Sequence, residues 1–250
     1  MGSNLRLDQD GGIAILRLTR PPVNALDAGF LEDIDAALDD VEGAADSKAL
    51  VVTGDGAALS AGLNLKVLPT LDAGGQRRTV EALNRTFSHL YALPLPVVAA
   101  ANGHAIAGGL FFVLTADYRV GPLGAAQFGL SEIRVGVRFP VGPLEIARAE
   151  LTPAAARRLL LGGRTVSAEE ARAIGVLDEL VEPGQLRDRA MAVARDYGEI
   201  PPKTFAAVKR QLRDPTLARV ERVIREAADP TLDGWFTDES AEAMRNMLAK

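Results

Sequence analysis

The stretch PVVAAANGHAIAGGLFFVLTADYR, residues 96–119, holds a short apolar run, then three glycines and two alanines within positions 103–109, then a second apolar run. The first run is bounded by Pro96 and by Asn102-Gly103, as a short buried strand would be, and the second reads as a buried helix. Strand, small-residue loop and helix together make the unit of an α/β chain. Two readings of the bare backbone are open on spacing alone. Backbone without bulky side chains can approach a ligand closely, with unpaired N–H groups and the positive end of the helix dipole facing it. It can equally let a helix pack tightly on a strand.

Working outward, the same alternation recurs. GIAILRLTR (12–20) alternates apolar and polar residues and stops at Pro21-Pro22, which predicts a half-buried strand. FLEDIDAALDDVE (30–42) places Leu31, Ile34, Leu38 and Val41 at helical spacing with its acids on the other face. ALVVTG (49–54) reads as another short strand. From Leu151 onward helices dominate: Thr152-Pro153 is a cap followed by proline in the first turn, and SAEE (167–170) is a capping box. After Glu182-Pro183-Gly184 come two or three amphipathic helices with no strand candidate. The expected organisation is an α/β core over residues 1–185 and a C-terminal helical region over 186–250, with no low-complexity linker or internal repeat.

Composition limits the function classes. A chain of 250 residues that is 48% hydrophobic and 24% charged can bury a full core. A net charge of −5 argues against nucleic acid or an anionic membrane as partner. No apolar run is long enough to span a bilayer, and MGSNLRLDQD lacks the pattern of a signal peptide, so a cytoplasmic location is expected. With no cysteine and two histidines, neither a disulfide nor a thiolate nucleophile is available, and no metal site is expected.

Two motifs fail on inspection. GDGAAL (54–59) follows a strand but has Leu59 where a dinucleotide fingerprint requires glycine, and no phosphate-binding G-x-x-x-x-G-K-[ST] occurs. ALSAG (58–62) is one residue from a serine-hydrolase nucleophile elbow around Ser60. That fold places its histidine last in the chain, whereas His89 and His104 both precede the midpoint. His104 is therefore expected to pack at a strand end.

Two glycine-bearing loops remain, LSAGLN (59–64) and HAIAGG (104–109), each at the end of a strand and each offering backbone N–H groups. Two such donors aimed at one point form an oxyanion hole, which stabilises charge building on a thioester or ester carbonyl. With RPPVNAL (20–26), VVTGDGAALSAGLNLK (51–66), ADYRVG (116–121), AQFGLSEIRVG (126–136) and ARRLLLGGRTVSAEEARAIGVLDELV (156–181), these loops resemble the crotonase superfamily of enoyl-CoA hydratases and isomerases over about residues 5–250. The resemblance implies an α/β spiral of ββα turns with a C-terminal helical region that drives assembly into homotrimers or hexamers. It implies an acyl-CoA thioester as substrate, with no further cofactor, whose oxygen meets the N–H groups of Ala61 and Gly108. Gly62, Leu63, Asn64, Gly109 and Phe111 would complete the binding site.

One departure from the family pattern is informative. Its hydratases carry a glutamate on the helix after the second loop and another in the later F-G-x-x-E segment; here those positions hold Phe111 and Glu132. Stereospecific hydration is served by two positioned carboxylates, whereas one base can take a proton from C2 of a 3-enoyl thioester and return it at C4. The site therefore resembles the single-glutamate isomerases, with Glu132 as acid/base and Phe111 lining the acyl pocket in place of water, while Phe112 belongs to the core. Asn64 stands where the family often has aspartate. Lys209 and Arg210, on a late helix, are expected to be solvated. The alternatives are hydration, decarboxylation or thioester hydrolysis at the same oxyanion hole, or acyl-CoA binding without catalysis.

Overall fold

The structure, a computed structural model, describes residues 4–248, so the extreme ends of the two expected regions lie outside the described residues. The chain opens with an antiparallel pair, β1 (Leu5–Asp10) and β2 (Ile13–Leu18), followed by α1 (Ala28–Gly43). Three further turns repeat a two-strand plan. The first comprises β3 (Ala49–Gly54), β4 (Ala58–Ser60) and α2 (Ala73–Ala92). The second comprises β5 (Val97–Ala100), β6 (His104–Ile106) and α3 (Phe111–Leu114), and the third β7 (Tyr118–Pro122), β8 (Gln127–Gly129) and α4 (Val141–Glu150). Each turn adds its first strand to a large sheet ordered β1-β2-β3-β5-β7 and its second to a small sheet ordered β4-β6-β8, and within each sheet these strands run parallel from turn to turn. This is the ββα spiral that the resemblance implies.

Short helices α5 (Pro153–Ala156) and α6 (Ala168–Ala173) follow, with β9 (Val166–Ser167) closing the small sheet and β10 (Glu179–Val181) the large one. The expected caps form: Thr152 accepts from the N–H of Ala155, and Ser167 from that of Glu170. Three helices end the chain, α7 (Leu186–Gly198), α8 (Pro202–Arg225) and α9 (Asp238–Leu248). The apolar face read in α1 is buried at Leu31, Ile34, Leu38 and Val41, and each such side chain contributes about 1.5–3 kcal/mol.

Two expectations need correction. Strand β2 is not half-buried: Ile13, Ala14, Ile15, Leu16 and Leu18 are all shut from solvent. Ala14, Leu16 and Leu18 join the main core with α1, while Ile13 and Ile15 face a second cluster with Ala190, Met191 and Ala194 of α7. Helices on both faces of a parallel sheet leave no wet side for alternation to serve.

Lys209 is the second correction, because it is buried. Its Nζ lies 2.7 Å from Asp117 and donates to Leu95 O, and Arg213 also pairs with Asp117 while stacking on Tyr91 at 3.9 Å. Burial pushes the Lys209 ammonium down to about 8, against the pull of Asp117. Helix α8 thus docks through Lys209 and Arg213 together with the apolar Leu217 and Val220, while Val208 and Leu212 face outward, 56% and 79% exposed. Arg210 lies on the surface as expected, paired with Asp214 and Glu221.

Candidate active site

The first loop leaves β4 at Ser60, a residue fully buried. Its Oγ donates to Asn24 O at 2.8 Å and accepts from Gly62 N–H, so Ser60 fastens the loop and is no nucleophile. Asn24, also buried, donates through Nδ2 to Ala58 O and Leu59 O. Beyond it a single bridge joins Leu26 to Leu63, with Leu26 N–H on Gly62 O and Asn64 N–H on Leu26 O.

These bonds decide which N–H groups are free. Ala61 N–H donates to Val23 O at 3.0 Å, which overturns the expectation that it meets the ligand. The bridge engages the N–H groups of Leu26 and Asn64 and leaves that of Leu63 directed to the opposite side. The N–H that this loop leaves free lies two residues beyond the expected one.

The second loop meets the first at close range. A Cβ on Gly109 would lie 2.1 Å from Ser60 O, and one on Gly103 would lie 2.0 Å from Ala57 O. These two glycines serve tight packing. Gly108 differs: it sits in the first turn of a 3-10 segment, Ala107–Leu110, where an N–H has no acceptor within the helix, and its backbone N is 3.0 Å from where a Gly62 Cβ would stand. Tight packing therefore accounts for Gly103 and Gly109, whereas Gly108 keeps an N–H without an acceptor in its own helix. Ala107 enters this turn with a left-handed φ of +51, a local strain found at functional loops.

A cavity of about 60 Å³ lies beneath both loops, and Ala61, Leu63, Gly108, Phe111 and Glu132 all line it. Of the expected binding residues, Gly62, Asn64 and Gly109 do not. Gly62 packs on Ala107 and Gly109 on Ser60, and Asn64 turns toward a neighbouring groove with Leu26, Asp27 and Arg78, its Oδ1 accepting from Lys66 N–H. Leu63 and Leu68 border both spaces.

Phe111 forms one wall, buried and packed on Phe87 and Phe139 with ring centroids 5.4 and 6.5 Å away. Phe112 lies in the core, as expected. Glu132 begins a 3-10 turn, Glu132–Val135, closed by Gly136 in the left-handed conformation. Its Oε2 is buried without a hydrogen-bond partner. Burial pushes this carboxyl up to about 8, opposed only by its own backbone N–H. Glu132 is the one carboxyl that lines the cavity among the described residues. No histidine lines it; His104 accepts from Gln127 N–H through Nδ1 and joins β6 to β8.

Sequence reasoning missed the far wall. Trp235, Met244 and Met247 close the cavity from the C-terminal segment, with Val137, Arg138 and Phe139 from the loop after Glu132. The apolar spacing of 241–248 signals a helix but not the surface it covers.

Residues 8–246 match the model of the enoyl-CoA hydratase/isomerase family. The chain is 35% identical over 223 residues to the probable enoyl-CoA hydratase EchA17 of Mycobacterium tuberculosis strain H37Rv, covering 87% of this chain and 84% of that one. A solved structure described as a Mycobacterium tuberculosis enoyl-CoA isomerase superposes with a TM-score of 0.83 at 29% identity, covering 91% of this chain and 99% of the other. The human mitochondrial delta3-delta2-enoyl-CoA isomerase reaches 0.87 at 24% identity, with 99% and 97% covered, and speaks for the fold alone.

Proposed function

The chain belongs to the enoyl-CoA hydratase/isomerase family, and from that premise we propose that it converts 3-enoyl-CoA to 2-enoyl-CoA with Glu132 as the single acid/base group. The observation that carries this reading is the buried, unpartnered Oε2 of Glu132 in a cavity whose other side is the phenyl ring of Phe111. A second carboxylate, which would assist addition of water, is replaced by a hydrocarbon surface.

In this mechanism the thioester oxygen accepts from the N–H groups of Leu63 and Gly108. Ionised Glu132 removes a proton from C2, the negative charge spreads over the dienolate and its oxygen, and the two donors hold it. The protonated acid then returns the proton at C4, so no group is consumed and no cofactor is called for. Burial suits both halves: it makes the carboxylate a stronger base and keeps the resulting acid neutral until it donates. The groove beside Asn64, which shares Leu63 and Leu68 with the cavity, gives the coenzyme arm a way out.

Assembly into homotrimers or dimers of trimers through residues 186–250, and a cytoplasmic location, belong to the same proposal. The outward-facing Val208 and Leu212 support the first. Hydration of 2-enoyl-CoA is the competing reading, and the name of the EchA17 relative favours it. Incubation of the protein with 3-enoyl- and 2-enoyl-CoA separates the two, since isomerisation leaves the mass unchanged and hydration adds a water. Retention of wild-type isomerisation by folded Glu132→Gln would show that Glu132 is not the base.

A further inference from the structure

Trp235, Met244 and Met247 line the cavity from a part of the chain remote from both loops and from Glu132. Met244 and Met247 are three residues apart on α9 and so lie one turn apart on a shared face. Met244 is 1% exposed and Met247 38%, which grades this wall from the closed interior to the rim. Trp235 commits its polar handle elsewhere, donating from Nε1 to Arg138 O at 2.7 Å, and offers the cavity a hydrocarbon surface.

The wall is tied to the acid. Ser240 Oγ, near the start of α9, donates to Gly136 O at 2.7 Å, and a Cβ on Gly136 would stand 3.0 Å from Ser240 Cα. Gly136 closes the same short turn that begins at Glu132, while Arg138 just beyond it carries the Trp235 bond. The separation between the reacting carboxyl and the methionines is therefore set by one turn and two hydrogen bonds. Any acyl chain with C2 at Glu132 has a fixed length to run before it meets α9.

We propose that Met244 and Met247, backed by Trp235, measure the acyl chain and select short, unsubstituted aliphatic thioesters; this rests on the cavity being an acyl-CoA site. Among the described residues, Ser131 and Glu132 stand at the reacting end, Trp235 Nε1 is bonded to Arg138 O and Arg138 Nη2 to Gly234 O, and the other lining side chains are apolar, so a hydroxyl or carboxyl beside the methionines is desolvated against hydrocarbon and thioether. The cavity, about 60 Å³, is far below the several hundred of sites that enclose whole ligands, and fits a short hydrocarbon segment. Methionine is unbranched and adaptable, so the limit is a graded decline with length and not a sharp stop.

The test titrates saturated acyl-CoAs from butanoyl to dodecanoyl, read by calorimetry and by the emission of Trp235, the only tryptophan in the chain. The wild type is expected to favour the shorter members. Met244→Ala should shift the preference for long over short chains by about tenfold, Met247→Ala by less, and Met247→Trp the opposite way. The same order of affinities in the wild type and both alanine variants, each folded by circular dichroism, would overturn the proposal. If Met244→Ala does not fold, the rim variants at Met247 decide alone. Acyl-CoA binding with the expected length shifts but no turnover leaves this inference standing and refutes the isomerase; no binding of any acyl-CoA to the wild type defeats both.

Discussion

Glu132→Gln should stabilise the protein at high pH while abolishing its chemistry. The carboxyl of Glu132 sits at about 8 in the folded chain against 4.5 ordinarily, because burial withholds water from its ionised form. A group raised on folding favours the folded state below its unfolded value, and that contribution is lost as pH rises through the folded one. The window is therefore from about 4.5 to about 8, and at about 1.4 kcal/mol per pH unit the full loss is about 5 kcal/mol. Water entering the cavity would reduce it, so about 2–5 kcal/mol is the working range. Glutamine keeps the shape of the neutral acid and cannot ionise. Urea denaturation at pH 5 and pH 9 should show the variant's advantage growing by that amount between the two. The same titration should govern turnover: with about a tenth of the carboxyls ionised one pH unit below their midpoint, kcat/KM of the wild type should climb about tenfold per unit up to about pH 8 and then level. A variant whose stability tracks the wild type at both pH values, with wild-type kcat/KM flat from pH 6 to 9, would refute a buried, raised Glu132.

Four further outcomes are expected. Leu63→Pro removes the free N–H and should cut kcat by about two orders of magnitude with acyl-CoA binding retained. Ala61→Pro instead breaks the bond to Val23 O and should show in a lowered Tm; equal kinetic losses in two folded variants would return the donor role to Ala61. Phe111→Glu restores the paired carboxylates of the family's hydratases and should yield measurable hydration of 2-enoyl-CoA, detected as a gain of one water in mass. His89, held between Asp35 and Glu42 of α1, has its imidazole raised chiefly by the bond to Asp35. Its contribution to stability is full below about 6.5 and is lost as pH rises through the higher folded value, so His89→Ala should cost more at pH 6 than at pH 9 in urea titrations.

Local chemistry made much of this protein legible from the chain alone. The α1 spacing, the caps at Thr152 and Ser167, the two glycine-bearing loops and the pairing of Phe111 with a lone Glu132 depend on neighbours a few residues away, and each stands where the sequence puts it. The free N–H could not be read this way. Whether the N–H of Ala61 or that of Leu63 is left free follows from the bridge between Leu26 and Leu63, and a hydrogen-bonding phase is set by the partner strand, not by the loop's own residues. The same holds for Gly103 and Gly109, whose bareness answers to the carbonyls of Ala57 and Ser60. Strand β2 loses its wet face only because α7 folds back on the sheet, and Lys209 is buried only because Asp117 waits beneath α8. Likewise α9 is an ordinary amphipathic helix until Ser240 docks on Gly136, a contact between residues 104 positions apart that no local pattern encodes, and Met244 comes to line the cavity that Glu132 lines.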